Sequence, residues 1–515
     1  MFLKLHHRFV FVALGLLLSL CASAQNFLPP VTNYNSTTYN AASQNWGLST
    51  DSDGTLYAAN NDGLLRFDGE RWEVFTLPNK TAIRSVFCIK DRIYTGSYEE
   101  FGYWTEDAYG SLQYISLSKL ISTTFANEEF WQITAWQGAI VFRSFGNLYV
   151  YNGQTITTQR PQTIITAMQV HNDKLLLGSN YGEIFEFDQD RFQSYAENSI
   201  SASSIIELST YDNQLLAGTR RQGIYSLKNG VFSPWGSEAL KAFLAVNELN
   251  KIQPVDQDLV ILGTVKGGIL YYNPKTGALK NHFRQNGLQN NTVLSLHKDR
   301  SKIWIGLDNG IDVVVPNTAI QYLLDNTGQL GAVYDIASLD GSLYVGSNTG
   351  VHKITEQGIF FIPGSQGQVW SLTKIEGRLF VNHNLGLFEL KNDALKLVSG
   401  ISGSFGLTAI PQSSSYFNTT YNGLRKYTLT EGTLLNQPLA EGGGAPVEHV
   451  IFEDQNYFWA AHPYKGFYRA QLNNQQQRIE NKESYIDYEA LAAYKTEIHK
   501  PVSYTHLRAH ETRHD

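Results

Sequence analysis

Residues 293–311, VLSLHKDRSKIWIGLDNGI, hold the clearest structural signal in the chain. Residues 293–296 begin a strand pattern in which apolar and polar residues alternate from Leu294 to His297, and a turn follows at Asp299. A second apolar run leads into the short loop 307–309, and Gly310 opens a third run. Alternation with a period of two is typical of half-buried β-strands, and glycine allows the positive φ that a tight hairpin needs. The segment therefore predicts three short antiparallel strands.

Similar units recur along the chain, each marked by a glycine before the third strand. The marker glycines are Gly63, Gly102, Gly146, Gly182, Gly223, Gly268, Gly310, Gly350, Gly386, Gly423 and Gly466. Their mean spacing is about 40 residues, which is typical of four-stranded propeller blades. One face of each third strand is apolar, so neighbouring blades are expected to pack through these faces.

The number of units exceeds one ring, because closed propellers usually hold four to eight blades. We therefore predict an all-β chain, with a seven-bladed β-propeller over residues 25–327 followed by a second, incomplete β-propeller over residues 328–500. Only residues 238–249 and 488–495 have the pattern of short helices.

Both ends of the chain differ from the repeats. Residues 1–24 have a basic start, an apolar run and a small-residue cleavage site, which predict a signal peptide and a periplasmic location. Residues 501–515 are rich in His and Arg, lack the periodicity, and are predicted to be a non-native tail. We therefore expect the chain to be a fragment of a longer protein.

Composition excludes several classes of protein. With 42% hydrophobic and 17% charged residues, most of the chain is expected to fold. The two cysteines exclude a disulfide scaffold and a multi-cysteine zinc or iron–sulfur site. The net charge is -7 and no basic cluster interrupts it, so we expect no nucleic-acid partner.

Several motifs resemble a known family. The unit 299–311 and the preceding NGLQNNTV, residues 286–293, resemble the two-component-regulator propeller repeat of Bacteroidota sensors. The start of the chain is similar to one subgroup of these sensors. The similar segments are Gln44-Asn45-Trp46, LYAAN at 56–60, LLRFDG at 64–69, Trp72, and IYTGSYEEFGY at 93–103.

The resemblance implies a function in signalling. In that family the propellers are the periplasmic input of a membrane-spanning regulator, whose output is a LuxR-type DNA-binding domain or a histidine kinase. It implies that this chain senses a ligand and meets the membrane only through a C-terminal segment missing here. A homodimer is expected in the intact protein.

The ligand is expected on one face of the propeller. Strands alternate in direction, so the loop before each marker glycine shares a face with the links between blades. These loops vary while the strands repeat, as a binding surface requires. The predicted ligand-binding residues are Asn60, Tyr98, Glu99, Arg143, Tyr181, Arg220, Arg221, Lys266 and Asp308. Their planar donors and aromatic faces suit an oligosaccharide or an acidic derivative of one.

No catalytic, cofactor or metal motif is present, so we predict a non-enzymatic protein that needs no cofactor. Cys88 lies in an apolar strand and is expected to be buried and unreactive. Six tryptophans are expected to pack between blades: Trp46, Trp72, Trp104, Trp131, Trp304 and Trp459. Two alternatives stay open, namely a secreted propeller enzyme acting on polysaccharide and a protein-binding scaffold.

Overall fold

A computed structural model describes residues 27–121, 127–200, 203–325, 327–355, 358–437, 439 and 445–485. In this part the chain is nearly all-β, which confirms the predicted fold class. It divides into two compact units, Phe27–Leu324 and the residues from Asp325 onward. The predicted signal peptide, the predicted tail and the predicted helix at 488–495 lie outside the described residues.

The first unit contains seven four-stranded antiparallel sheets. Its first three sheets are preceded by β1 (Val31–Tyr34) and helix α1 (Ser36–Tyr39). They consist of β2 (Asn45–Thr50), β3 (Leu56–Asn60), β4 (Gly63–Phe67) and β5 (Trp72–Phe75); β6 (Ile83–Ile89), β7 (Arg92–Ser97), β8 (Phe101–Glu106) and β9 (Leu112–Ser116); and β10 (Gln132–Trp136), β11 (Ala139–Arg143), β12 (Leu148–Tyr151) and β13 (Ile156–Gln159).

The fourth to seventh sheets follow the same order. They consist of β14 (Ile165–His171), β15 (Lys174–Ser179), β16 (Ile184–Asp188) and β17 (Arg191–Ser194); β18 (Ile205–Tyr211), β19 (Gln214–Thr219), β20 (Ile224–Lys228) and β21 (Val231–Trp235); β22 (Leu249–Pro254), β23 (Val260–Thr264), β24 (Ile269–Tyr272) and β25 (Leu279–His282); and β26 (Val293–Asp299), β27 (Lys302–Leu307) and β28 (Ile311–Val314) with β1. Helix α2 (Glu238–Asn247) connects the fifth and sixth sheets, which confirms the helix expected there.

The first unit is a closed ring. The first strands of successive sheets, here called the inner strands, contact one another from β2 through to β26, and β26 contacts β2 again. The seventh sheet is completed by the N-terminal strand, since β1 pairs with β28 from Val31↔Val314 to Tyr34↔Ile311. The buried carboxylate of Asp312 accepts hydrogen bonds from Asn33 Nδ2 and Gln289 Nε2, each at 2.7 Å, and so links the two ends.

The unit from Asp325 onward has four further antiparallel sheets. They consist of β29 (Val333–Leu339), β30 (Ser342–Ser347), β31 (Val351–Thr355) and β32 (Gly358–Phe361); β33 (Val369–Ile375), β34 (Arg378–His383), β35 (Gly386–Lys391) and β36 (Ala394–Ser399); β37 (Ser404–Ala409), β38 (Ser415–Thr420), β39 (Gly423–Thr430) and β40 (Thr433–Gln437); and β41 (His449–Phe452), β42 (Tyr457–Ala461), β43 (Phe467–Leu472) and β44 (Ile479–Tyr485). Each sheet packs on the next through its inner strand.

Apolar faces of neighbouring sheets form the cores. Between the first two sheets, for example, Tyr57 and Leu64 pack with Ile83 and Ile93. Burial of such side chains contributes about 25 cal/mol per Å² of apolar surface, so stability depends on each sheet having a neighbour. The predicted bounds of the two propellers, residues 25–327 and 328–500, remain a prediction.

Two marker glycines differ from the prediction. Gly102 lies inside β8, and neither Gly102 nor Gly146 has a positive φ, unlike the other nine markers. In the second sheet Ser97 N donates to Glu100 O, and in the third Ser144 N donates to Asn147 O. The second hairpin is thus closed at Glu100, with Tyr98 and Glu99 in its loop as predicted, whereas the third is closed at Asn147 and leaves Arg143 in the strand.

Candidate ligand-binding face

The loops between second and third strands lie beside the links that join successive sheets. Asp308 N donates to Thr292 O at 3.0 Å, and Asn180 N donates to Ile164 O at 3.1 Å. Both kinds of connection therefore share one face of the ring, which we call the loop face. The turns between first and second strands and between third and fourth strands form the opposite face.

Hydroxyl groups at the ends of second strands shape these loops. Thr219 Oγ1 donates to Gly223 O at 2.8 Å and accepts from Gln222 N at 3.0 Å. Thr264 Oγ1 forms the same pair of bonds, with Gly268 O and Gly267 N. Such side-chain bonds to nearby backbone fix a turn without regular secondary structure, and they hold the variable loop residues in place.

A β-bulge near the start of the inner strand changes which side chains reach the loop face. The pairing register shifts between the first and third residues of six inner strands in the first unit. The bulged residues are Trp46, Arg84, Thr166, Ile206, Asn250 and Leu294. A bulge re-aims one side chain, and strand alternation alone does not reveal it.

Arg84 is the centre of a cluster contributed by the first three sheets. Its Cζ lies 4.5 Å from the Trp46 ring centroid and 5.4 Å from that of Trp131. Its Nε donates to Glu129 Oε1 and its Nη1 to Asn61 Oδ1, both at 3.2 Å. Stacking on aromatic rings together with two hydrogen bonds holds the guanidinium in one orientation.

Asp308, a predicted site residue, belongs to the same network. Gln44 Nε2 donates to Asp308 Oδ1 at 2.6 Å, and Asn61 Nδ2 donates to Gln44 Oε1 at 2.7 Å. Asn61 Oδ1 in turn accepts from Trp46 Nε1 at 2.8 Å and from Arg84. A chain of hydrogen bonds thus joins the seventh sheet to the second across the point where the ring closes.

Arg221 and Lys266, predicted from separate loops, meet at one carboxylate. Arg221 Nη2 and Lys266 Nζ donate to Glu248 Oε1 at 2.5 and 2.6 Å. The hydrogen bond from Lys266 has the largest effect and that from Arg221 the next, and together they lower the pKa of Glu248 to about 2. Glu248 follows helix α2 with a φ of 59°. Arg220 lies exposed beside Arg221, so the group carries a net positive charge.

Arg143 is not a loop residue, contrary to the prediction. It ends β11 and is only 4% exposed. Nη1 donates to Ile165 O at 2.8 Å, and Nε donates to Gln132 Oε1 at 3.3 Å. Burial lowers the pKa of this guanidinium to about 10.

The other predicted residues have separate environments. Tyr98 is exposed and donates to Asn127 Oδ1 at 3.1 Å, while Glu99 Oε1 accepts from Asn127 N at 2.7 Å. Tyr181 is 66% exposed. Asn60 is fully buried, and its Nδ2 donates to three oxygens in residues 42–45. The structure gives Asn60 a structural role in place of the predicted contact with ligand.

Tryptophans divide into two groups. Trp104 and Trp304 are buried between sheets as predicted. Trp46 also packs against the core between the first two sheets, and its ring and that of Trp131 flank Arg84 near the loop face. Sequence analysis missed Arg84, Glu129 and Glu248 as site residues. Glu248 lies in the link between the fifth and sixth sheets. The pattern of hairpin loops that identified Arg221 and Lys266 therefore gave no signal for it.

Three further features concern metal binding, the reactivity of Cys88 and a cavity. Among the described residues, no group of three or more His, Cys, Asp or Glu could hold a metal ion. Burial raises the pKa of Cys88 to about 12, so its thiol is a poor nucleophile. A cavity of about 560 Å³, lined by residues such as Lys90, Arg92 and Trp136, opens at turns of the opposite face.

The described part of the chain contains no helix long and apolar enough to cross a membrane. No family model and no curated protein matches the sequence.

Solved structures do resemble the chain. The extracellular domain of a protein described as a hybrid two-component system from B. thetaiotaomicron matches 90% of this chain, with 12% identity and a TM-score of 0.66, and 67% of its own length is covered. The extracellular domain of a one-component system from the same organism matches 89% of this chain and 67% of its own, with 14% identity and a TM-score of 0.46. A virginiamycin B lyase from Staphylococcus aureus matches 56% of this chain and 99% of its own, with 12% identity and a TM-score of 0.47.

The first of these structures supports the fold, and the chain spans about two thirds of its length. The similarity extends over both compact units, because it covers nine tenths of this chain. The chain therefore shares its fold with the extracellular domain of a hybrid two-component system, in agreement with the family resemblance found in the sequence.

Proposed function

We propose that this chain is the periplasmic ligand-sensing region of a membrane-spanning regulator, and that the loop face binds a polysaccharide-derived ligand. The observation that carries the proposal is the Arg84 cluster, in which two indole rings and a guanidinium from three sheets meet beside the loops. Aromatic faces pack on sugar rings, and guanidinium groups donate to hydroxyls and carboxylates. The fold shared with a two-component extracellular domain supports the sensing role.

Binding fits the loop face better than acid–base catalysis does. Glu100 accepts hydrogen bonds from Tyr114 Oη at 2.9 Å and from Ser116 Oγ at 2.8 Å. Glu129 is paired with Arg84, and Glu248 with two cations. Hydrogen bonds and ion pairs already occupy the carboxylate oxygens that a general acid or base would present to a substrate, which disfavours a proton-transfer role. We therefore propose a non-enzymatic sensor.

The test is calorimetric titration of the full chain with a panel of neutral and acidic oligosaccharides. We expect one class to bind and Arg84→Ala to weaken that binding. Arg92→Ala is the matched control, because Arg92 stacks on Tyr103 at 4.4 Å beside the opposite-face turn. Binding of no saccharide, or equal loss in both variants, would contradict the proposal.

Two further results would identify a different role. Release of shorter products from the oligosaccharides would indicate a propeller enzyme. Sequencing the gene beyond Lys500 tests the regulatory assignment separately: we expect a transmembrane helix and an output domain, and a stop codon directly after the last sheet would contradict it.

A further inference from the structure

One backbone position separates the third sheet from the others of the first unit. It is the second-strand residue that pairs with the first large apolar residue of the third strand. The position is occupied by Ala59, Gly96, Arg143, Gly178, Gly218, Gly263 and Gly306 in sheets one to seven. Five sheets therefore use glycine where the third uses arginine.

Those glycines stand where a side chain has no space. A Cβ atom on Gly218 would lie 2.6 Å from Leu249 Cδ2, and one on Gly263 would lie 2.6 Å from Val293 Cγ1. In both cases the inner strand of the next sheet packs directly over the glycine. In the third sheet the Arg143 side chain occupies this place and reaches Ile165 O on the next inner strand.

Arg143 lacks a counterion of its own. Its hydrogen-bond partners, Ile165 O and the Gln132 amide, are neutral, and in the described part of the chain no ion pair includes it. The acidic residue that acts on it electrostatically, Glu207, is already paired with Lys251, whose Nζ lies 3.0 Å from the carboxylate. A buried cation without a paired anion is costly, so such a group marks a place where an anion can bind favourably.

A second buried donor lies in the same cluster. Trp131 Nε1 is buried and has no hydrogen-bond acceptor among the described residues. Phe145 joins the two: its ring centroid lies 5.7 Å from the Trp131 ring and 5.8 Å from Arg143 Cζ. Phe145 is 46% exposed on the loop face, so the cluster extends from solvent to the buried guanidinium.

We propose that Arg143, Trp131 and Phe145 form a subsite for the carboxylate or sulfate group of an acidic ligand. The inference rests on the proposed function, since it names the class of ligand that the loop face selects. The guanidinium supplies the charge and a planar pair of donors, the indole supplies a further N–H, and the Phe145 ring covers an apolar face of the ligand. Neutral saccharides lack the group that compensates Arg143.

The test titrates the full chain with galacturonate, galactose, acetate and sulfate at constant ionic strength. We expect galacturonate to bind and galactose to bind about tenfold or more weakly, because a buried charge left unpaired lowers affinity strongly. Acetate and sulfate distinguish the source of the anion. Binding of these ions as tight as that of galacturonate, and lost without Arg143, would assign the subsite to free anions.

Arg143→Gly is the decisive variant, because it restores the residue that five other sheets carry and is compatible with the fold. We expect it to lose the preference for galacturonate over galactose, and Arg143→Lys to retain part of it. Trp131→Phe keeps an aromatic ring without the N–H and should weaken galacturonate binding less than Arg143→Gly does. Circular dichroism checks that each variant is folded, and Trp131→Phe serves as the second probe if Arg143→Gly unfolds.

Two results would overturn the inference. Galacturonate binding with unchanged affinity in Arg143→Gly would leave the sensor proposal standing and remove this subsite. Equal affinity of the natural chain for galactose and galacturonate would do the same. If no saccharide of any kind binds, both this inference and the proposed function fail.

Discussion

Two cationic regions of the first unit differ in how their charge is compensated. In the fifth and sixth sheets, Arg221 and Lys266 are exposed and share the Glu248 carboxylate. In the third sheet, Arg143 is buried and has only neutral hydrogen-bond partners. The exposed cations are thus paired with a carboxylate, whereas the buried cation is not. The contrast indicates that the third sheet reserves its cation for a ligand, whereas the exposed pair mainly fixes two loops.

An arginine placed at the corresponding position of another sheet should be strongly destabilising. Gly306→Arg should lower the free energy of unfolding by at least about 3 kcal/mol. A Cβ atom there would lie 2.1 Å from Ser295 Oγ and 2.5 Å from Asn45 O. Urea denaturation measures the loss. Gly400→Arg is the control, because a Cβ on Gly400 meets nothing within 4 Å. Equal stability of the two variants would show that the position is not sterically closed.

The first unit contains a second buried charged residue. Asp312, which links β28 to β1, also has neutral partners, but it has three hydrogen bonds from Asn33 and Gln289. Asp312→Ala leaves these donors unpaired and should cost about 2 kcal/mol, whereas Asn33→Ala should cost about 1 kcal/mol. Calorimetric unfolding of the full chain compares them. A larger loss in Asn33→Ala would contradict the role given to the carboxylate.

The exposed region should respond to pH in a defined direction. Because the folded-state pKa of Glu248 is lowered from 4.5 to about 2, its contribution to stability is fully present above pH 4.5 and is lost as the pH falls towards 2. Glu248→Gln should therefore be less stable than the natural chain at about pH 6, with a smaller difference at about pH 3. Urea denaturation at both values measures it, and a difference that grows on acidification would be contrary to this account.

The smallest effect is expected at Arg221. Its side chain is 66% exposed, and Lys266 keeps its own bond to Glu248 when Arg221 is removed. Arg221→Ala should change the free energy of unfolding by less than about 0.5 kcal/mol, since exposed ion pairs contribute little. Thermal unfolding checks this value. A loss comparable to that of Asp312→Ala would show that the exposed pair also supports the ring.

The sequence predicted the sheets well because period-two alternation and turn glycines are local signals. The site was only partly predictable. Arg143 was assigned to a loop because Gly146 marked the hairpin, whereas the structure closes that hairpin at Asn147. Trp46 and Arg84 face the loops through bulges, which depend on strand pairing between distant residues. Burial of Arg143 likewise depends on the next sheet, so no local pattern reveals it.

Hydrogen–deuterium exchange of the full chain, with and without oligogalacturonides, tests the central claim that the loop face is the sensing surface. We predict slower exchange in peptides that contain residues 98–100, 129–147 and 220–222, while turns of the opposite face such as residues 90–91 stay unchanged. Protection confined to the turns around the opposite-face cavity would contradict the claim.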